Sequence, residues 1–539
     1  MKRQLKYISA ILMLMIVSAG CTEDYLSIKP KTSHMENNYY QTEDQAFNAM
    51  VAVYDALHVQ NWQFVPIMSD IWSDDAYAGG SSPDDMYQWQ IIESNSMNGD
   101  GEATSALWNR CYSGIYRANK YLQKEGEVEW SSEQKRSRYQ AEVKFLRAYF
   151  YWDLARHWGR VPIITEVYSD VDRYKNAEQA TTAEVYNQVA TDLVEAIPDL
   201  PENVPATQAG RVTQYAAKTL LARVYMFYND FAQDVMEVSE PLTGAGTTID
   251  EQYAVNALED VITSENYRLL DNYSDVFDWD NENNDEVVFA WQYSDLWHGT
   301  DWGGWAINGN FSVVFYGIRN PSGDPSIQAG WSFCTPSWSL VNEYESGDPR
   351  LGVSIYNAED SLDNYTRAFQ NTGYFFYKYM PRTKYRVDQG DPNHNWPINY
   401  KDMRFADVLL MAAELYVNGE GVEDQGKADQ YLNRVRTRAL GQSAALSGVT
   451  MDDIRHERRV ELAGEGKRKW DLLRWGSGVS YAKQMIDASF DNVPSDRQSD
   501  FSPRYMNPNT WGMFPLPNSE IRNTREGVLQ NFIPAYQNL

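Results

Sequence analysis

The stretch from residue 141 to residue 165, AEVKFLRAYFYWDLARHWGRVPIIT, limits the possible folds of this chain more than any other. Val143, Leu146, Phe150 and Leu154 recur at helical spacing, and Gly159 and Pro162 then stop the run. The pattern repeats elsewhere. Thr42 and Gln45 have the spacing of a capping box and are followed by Phe47, Met50, Tyr54 and Leu57 on one helical stripe. Thr181 and Glu184 repeat that start signal, and Val185, Val189, Leu193 and Ile197 continue it to Pro198. Thr213 opens a helix whose inner face is Ala217, Leu220, Leu221 and Val224. Val408, Met411, Ala412 and Leu415 mark another, and Leu432, Val435 and Ala439 its partner. Amphipathic helices separated by short breaks pack face to face, so the expected class is mainly α, built from tetratricopeptide-like hairpins. No clean repeat of about 34 residues is visible.

Two stretches have a different texture. Residues 71–101 and 295–399 are rich in Gly, Pro, Asn, Asp and aromatics and lack helical period, so they are expected to be long structured loops with short strands. Loops of that length in a compact protein are usually functional. The chain also carries 18 Trp and 37 Tyr, more flat rings than a core requires, which points to a recognition surface.

The first twenty residues have the form of an export signal. Lys2, Arg3 and Lys6 precede an apolar run, Ile8 to Val17, that is too short to span a bilayer. The run ends in Val17-Ser18-Ala19-Gly20-Cys21, similar to a lipobox in which Cys21 becomes the lipidated N-terminus; ordinary secretory cleavage is the alternative. Residues 21–41 are polar and contain Pro30, and read as a tether of about 20 residues that reaches at most ~70 Å. Residues 42–539 are expected to form one domain, with a helical scaffold over about 42–270 and 400–475. The net charge of −28 becomes about −31 once the three basic residues of the signal are removed. That field disfavours nucleic acid and anionic lipid. Cys111 follows Leu107 by four residues on a helical face, which favours a buried free thiol over pairing with Cys334.

Specific catalytic motifs are missing. The chain has six His and no His-Glu-x-x-His, Gly-x-Ser-x-Gly, P-loop or dinucleotide-binding glycine run. Glycoside hydrolysis needs only two carboxylates, and Glu343 with Glu345 or Asp74 with Asp75 could be nominated, but nothing singles them out. Asp278, Asp280, Glu282, Asn284 and Glu286 alternate oxygen ligands. They lack the glycine and glutamate of a calcium-binding EF-hand loop, so a solvated acidic turn is expected and no cofactor. Glu457, Arg458, Arg459 and Glu461 near Arg474 read as a salt-bridged helix surface.

Taken in order, the motifs resemble the SusD/RagB family. Residues 141–165, Thr213 to Tyr225, and Asn281 to Phe289 match its successive elements. So do Thr335-Pro336, Glu343-Tyr344, Gly347 to Arg350, Arg404 to Glu414, Leu432 to Arg436, Glu457 to Ala463, Asp471 to Trp475 and Phe514 to Pro517. The resemblance spans nearly the whole mature chain. It implies a non-enzymatic outer-surface lipoprotein with a tetratricopeptide-like α/α fold and a loop-rich half. Such a protein would deliver glycan, or peptide in the RagB branch, to a SusC-like TonB-dependent transporter. The Cys21-Thr22-Glu23-Asp24 start resembles the family's surface-export signal.

Sugars present C–H patches to aromatic rings. Trp297-His-Gly-Thr-Asp-Trp302-Gly-Gly-Trp305 places three indoles in a glycine-rich loop, with Trp331 and Trp89 in other loops. Packing of these rings into the scaffold, or against the transporter, is the competing reading. Trp72, Asp75 and Tyr77 stand where the resemblance implies polar ligand contacts. The expected ligand-binding residues are therefore Trp72, Asp75, Tyr77, Trp89, Trp297, Trp302, Trp305 and Trp331.

Overall fold

The structure is a computed structural model and describes residues 39–58, 64–236, 238–296, 308–387 and 391–537. Its principal helices are α1 (Glu43–Asp55), α2 (Val65–Trp72), α3 (Tyr87–Glu93), α4 (Glu102–Lys124), α5 (Glu133–Trp158), α6 (Thr182–Ala196), α7 (Gln214–Phe227), α8 (Glu251–Thr263), α9 (Phe405–Asn418), α10 (Gln425–Leu440), α11 (Met451–Glu461) and α12 (Arg468–Arg474). The fold is mainly helical, as expected. Antiparallel neighbours pack as α4 with α5, α5 with α6, α7 with α8, and α9 with α10.

Local chemistry sets these helices where the sequence placed them. Both expected capping boxes form, at Thr42/Gln45 and Thr181/Glu184, and Thr450/Asp453 makes a third. Helix α5 ends at Gly159, whose φ of +71° suits glycine. From Ala141 onward α5 is buried on almost every side, with Val143, Leu146, Phe150 and Leu154 all inaccessible. A helix covered all round lies at the centre of its domain, and α5 is held there between α4 and α6.

The irregular half contains short two-stranded ribbons. Strand β1 (Ala76–Gly79) pairs with β3 (Phe333–Pro336), β2 (Val287–Trp291) with β6 (Tyr400–Arg404), and β4 (Ile355–Asn357) with β5 (Tyr374–Phe376), all antiparallel. The stretch 71–101 carries the short strand β1, as expected, but departs from the loop expectation in also carrying α3 and in being largely buried.

The charged motif on α11 also differs from its sequence reading. Glu457, Arg458, Arg459 and Glu461 are buried, not on a surface. Residues at these positions face every side of the helix, and each side meets a different part of the chain. Arg459 bonds Asp75 at 2.8 Å, Asp74 at 2.9 Å and Glu343 at 3.0 Å. Arg458 reaches Asp407 and Asp471, each at 2.9 Å. Glu461 accepts from Arg438 at 2.6 Å, Arg404 at 3.1 Å and Arg350 at 3.2 Å. Burial works against ionising Glu461, but Arg438, Arg404 and Arg350 outweigh it and hold the carboxyl below its usual range.

The acidic stretch 278–286 does not converge. Asp280 pairs with Lys384, Glu282 with Lys401 at 3.1 Å, and Glu286 with Arg404 at 2.5 Å and Arg438 at 3.1 Å. Its first half is solvated as expected, whereas Asn284 and Glu286 are buried. Cys111 and Cys334 are both buried free thiols, and burial pushes the Cys111 thiol up to about 12.

Candidate functional site

The described chain on either side of the three clustered tryptophans follows the end of β2 and runs beside the segment that leads into β6. Tyr293 N–H donates to Asn399 Oδ1 at 2.7 Å, fixing the outgoing strand. Ser294 N–H then donates to the Asn308 carbonyl at 2.8 Å and brings the two ends of the loop together. On the return side, Asn310 N–H donates to the Trp396 carbonyl at 2.7 Å and its side-chain amide to the Ile398 carbonyl at 2.9 Å. Gly309 is required between them, because a Cβ there would lie 1.9 Å from the His394 carbonyl oxygen. The residues on either side of 297–307 are thereby pinned to one another and form a fixed base.

An aromatic cluster lies under that base. Phe311 meets His394 at 4.9 Å, Phe315 at 5.0 Å and Trp331 at 5.6 Å between ring centroids. Phe315 continues inward to Trp89 at 4.7 Å, and Trp89 to Phe333 at 5.2 Å. Trp331 is the partly exposed ring of this cluster, and Trp89 is its buried floor. On the outgoing side the partly exposed Tyr293 stacks on His58 at 5.0 Å. Tyr385 stacks on the buried Trp279 at 4.9 Å, with the Arg382 guanidinium 5.3 Å from the indole. Rings of graded exposure beside amide and guanidinium donors can meet both faces of a sugar: C–H on the ring, hydroxyls on the donors.

Of the residues singled out in the sequence, the structure brings Trp89 and Trp331 together. Trp297, Trp302 and Trp305 lie outside the described residues, as does Cys21. Trp89 and three others, Trp72, Asp75 and Tyr77, need correction as ligand contacts. Trp72 is fully buried in α2 and packs against Lys469, whose ammonium is 5.1 Å from its ring. Asp75 is ion-paired to Arg459 in the core. Tyr77 is buried in β1 with its ring 4.7 Å from Phe501. Trp89 is buried behind Phe315, which in turn meets Trp331, so it supports the cluster from inside. The reason is shared: each belongs to the segment 71–101, which the β1–β3 pairing and the ion pairs of α11 draw inside. Tyr293, His58 and Tyr385 were missed, and their signal was weak, since each is a single ring beside a polar run. The nominated carboxylates Asp74, Asp75 and Glu343 all bind Arg459, and Glu345 pairs with Arg436 at 2.6 Å. Burial opposes ionisation of these groups, but their partners hold Asp74, Glu343 and Glu345 below their usual range, whereas burial and the neighbouring Asp74 carboxylate push Asp75 up.

Hollows in the described surface lie elsewhere. One of about 780 Å³ is lined by Arg160, Gln179, Thr181, Gln530 and Phe532. A smaller, more apolar one of about 200 Å³ is lined by Trp108, Tyr112, Ile115 and Tyr116. Neither contains a tryptophan of the loop-rich half.

Comparison with known proteins gives a consistent result. Residues 351–536 match the model of the SusD family, and residues 24–226 match a second model described as starch-binding associating with outer membrane. A SusD-like protein of Bacteroides ovatus is 27% identical over 485 residues, covering 85% of this chain and 80% of its own length. Among solved structures, surface glycan-binding protein A from Bacteroides thetaiotaomicron in complex with laminarihexaose is 28% identical. It covers 91% of this chain and 99% of that one, with a TM-score of 0.76. A laminarin-binding SusD-like protein, also 28% identical, covers 90% and 98% with a TM-score of 0.76.

Proposed function

From the premise that the chain belongs to the SusD/RagB family, we propose that it is a surface glycan-binding protein that captures oligosaccharide without cleaving it. It hands the glycan to a SusC-like TonB-dependent transporter in the outer membrane. The observation that carries this reading is the end-to-end similarity to a surface glycan-binding protein seen with laminarihexaose. The aromatic cluster at the base of the 297–307 loop supplies a physical means. An anchor at Cys21 with a tether of residues 21–41 would hold the protein at the membrane while leaving it free to swing over the transporter.

Laminarihexaose is the first ligand to test, by calorimetry on the mature protein and on Trp302→Ala and Trp305→Ala. A stacked ring contributes ~1–3 kcal/mol, so each substitution should weaken binding about 5- to 150-fold and leave the melting temperature unchanged. If the rings belong to the core, the same changes should instead cost roughly 3–5 kcal/mol of stability with affinity preserved. Shorter oligosaccharides accumulating over hours, at a rate abolished by one carboxylate substitution, would refute binding without turnover.

A further inference from the structure

We propose that the helical scaffold holds one small monovalent anion, of halide size, in a small cavity between α5, α7, α9, α11 and α12. The cavity has a volume of about 30 Å³, about the share of one water molecule in the liquid. Its wall carries the cations Arg156, Arg223, Arg458, Lys467 and Arg474, but only two carboxylates, Asp407 and Asp471. Those two are already engaged. Asp407 accepts from Arg458 at 2.9 Å and Arg223 at 2.8 Å, and Asp471 from Arg458 and Arg474, each at 2.9 Å. The remaining acids, Asp153, Asp402, Glu414 and Asp230, complete the pairing of these cations but do not line the cavity.

A second observation is independent of charge. Trp152 and Trp470 both line the cavity, and both indole N–H groups are buried without an acceptor. An indole N–H can only donate, and an unmet buried donor costs about 1–3 kcal/mol. Arg156 sits against both rings, its guanidinium carbon 4.3 Å from the Trp470 centroid and 5.2 Å from that of Trp152. Both wall carboxylates are thus committed to arginines, the two indole N–H groups are left without an acceptor, and one halide supplies it. A water molecule would bring two further hydrogens to a wall already crowded with donors.

The test uses the full mature protein. Its melting temperature should rise saturably with sodium chloride or bromide relative to sodium gluconate at equal ionic strength, because a ligand bound only by the folded state stabilises it by mass action. Crystals soaked in bromide should show an anomalous peak in contact with Trp152 and Trp470. Trp470→Phe, which removes one N–H and keeps a ring, should raise the half-saturating halide concentration about tenfold. Trp152→Phe is the independent second variant, and the wild-type titration needs neither. Identical melting in halide and gluconate, or a cavity filled by water with no bromide peak, would overturn the proposal.

Discussion

Arg404→Ala is expected to destabilise the protein by about 3–5 kcal/mol, the range for removing one partner of a buried ion pair. Arg404 is 1% exposed and bonds Glu286 at 2.5 Å, Glu461 at 3.1 Å, and Glu465 at 2.7 and 2.8 Å. Its loss leaves those carboxylates buried, with Arg350, Arg438 and Lys378 as their remaining partners. The pH dependence separates this cause from simple loss of packing. In the wild type Glu465 is held below its usual pKa, by Arg404 first and then Lys378, against the upward push of burial. Its contribution to stability is therefore present above pH ~4.5 and is lost only as the pH falls through the lower folded value. Without Arg404, burial dominates and the folded pKa rises. The penalty is then full at neutral pH and relieved as the carboxyl takes up a proton. Urea unfolding at pH 7.5 and pH 5 should show the gap between variant and wild type narrowing toward acid. An equal gap at both would assign the loss to packing alone.

Cys21→Ala is expected to move the protein wholly from the membrane fraction to the soluble fraction and to abolish fatty-acid labelling. The apolar run Ile8 to Val17 is too short to span a bilayer, and among the described residues no helix is long and apolar enough to cross a membrane. A lipid on Cys21 is then the anchor this reading offers. Fractionation after carbonate wash, with palmitate labelling, measures both effects. A Cys21→Ala protein that stays in the membrane would show that another contact, such as the transporter itself, holds it there. Pull-down of the transporter from mildly solubilised membranes would identify that contact.

Several helices and their ends were legible in the sequence alone. Capping boxes, Gly159 and the stripes of α5 and α7 are encoded within a few residues, because a helix closes its hydrogen bonds between residues four apart. The order of family motifs was equally legible. What the tertiary structure decided is which side chains turn inward. An indole that stacks on sugar and one that fills a core have the same composition and similar neighbours, so the rings of Trp72, Tyr77 and Trp89 could not be placed by reading outward from them. Their direction is set by partners far along the chain. Thr335 lies opposite Tyr77 in the β1–β3 ribbon, and Arg459 draws in Asp75 from 384 residues away. The same holds for α11, where alternating charges look solvated on a single helix. Only when Asp74, Asp75, Glu343, Arg350, Arg404 and Asp407 arrive on its different sides does burial of those charges become favourable. A buried charge needs its partner present in three dimensions, and local sequence carries no record of where that partner comes from.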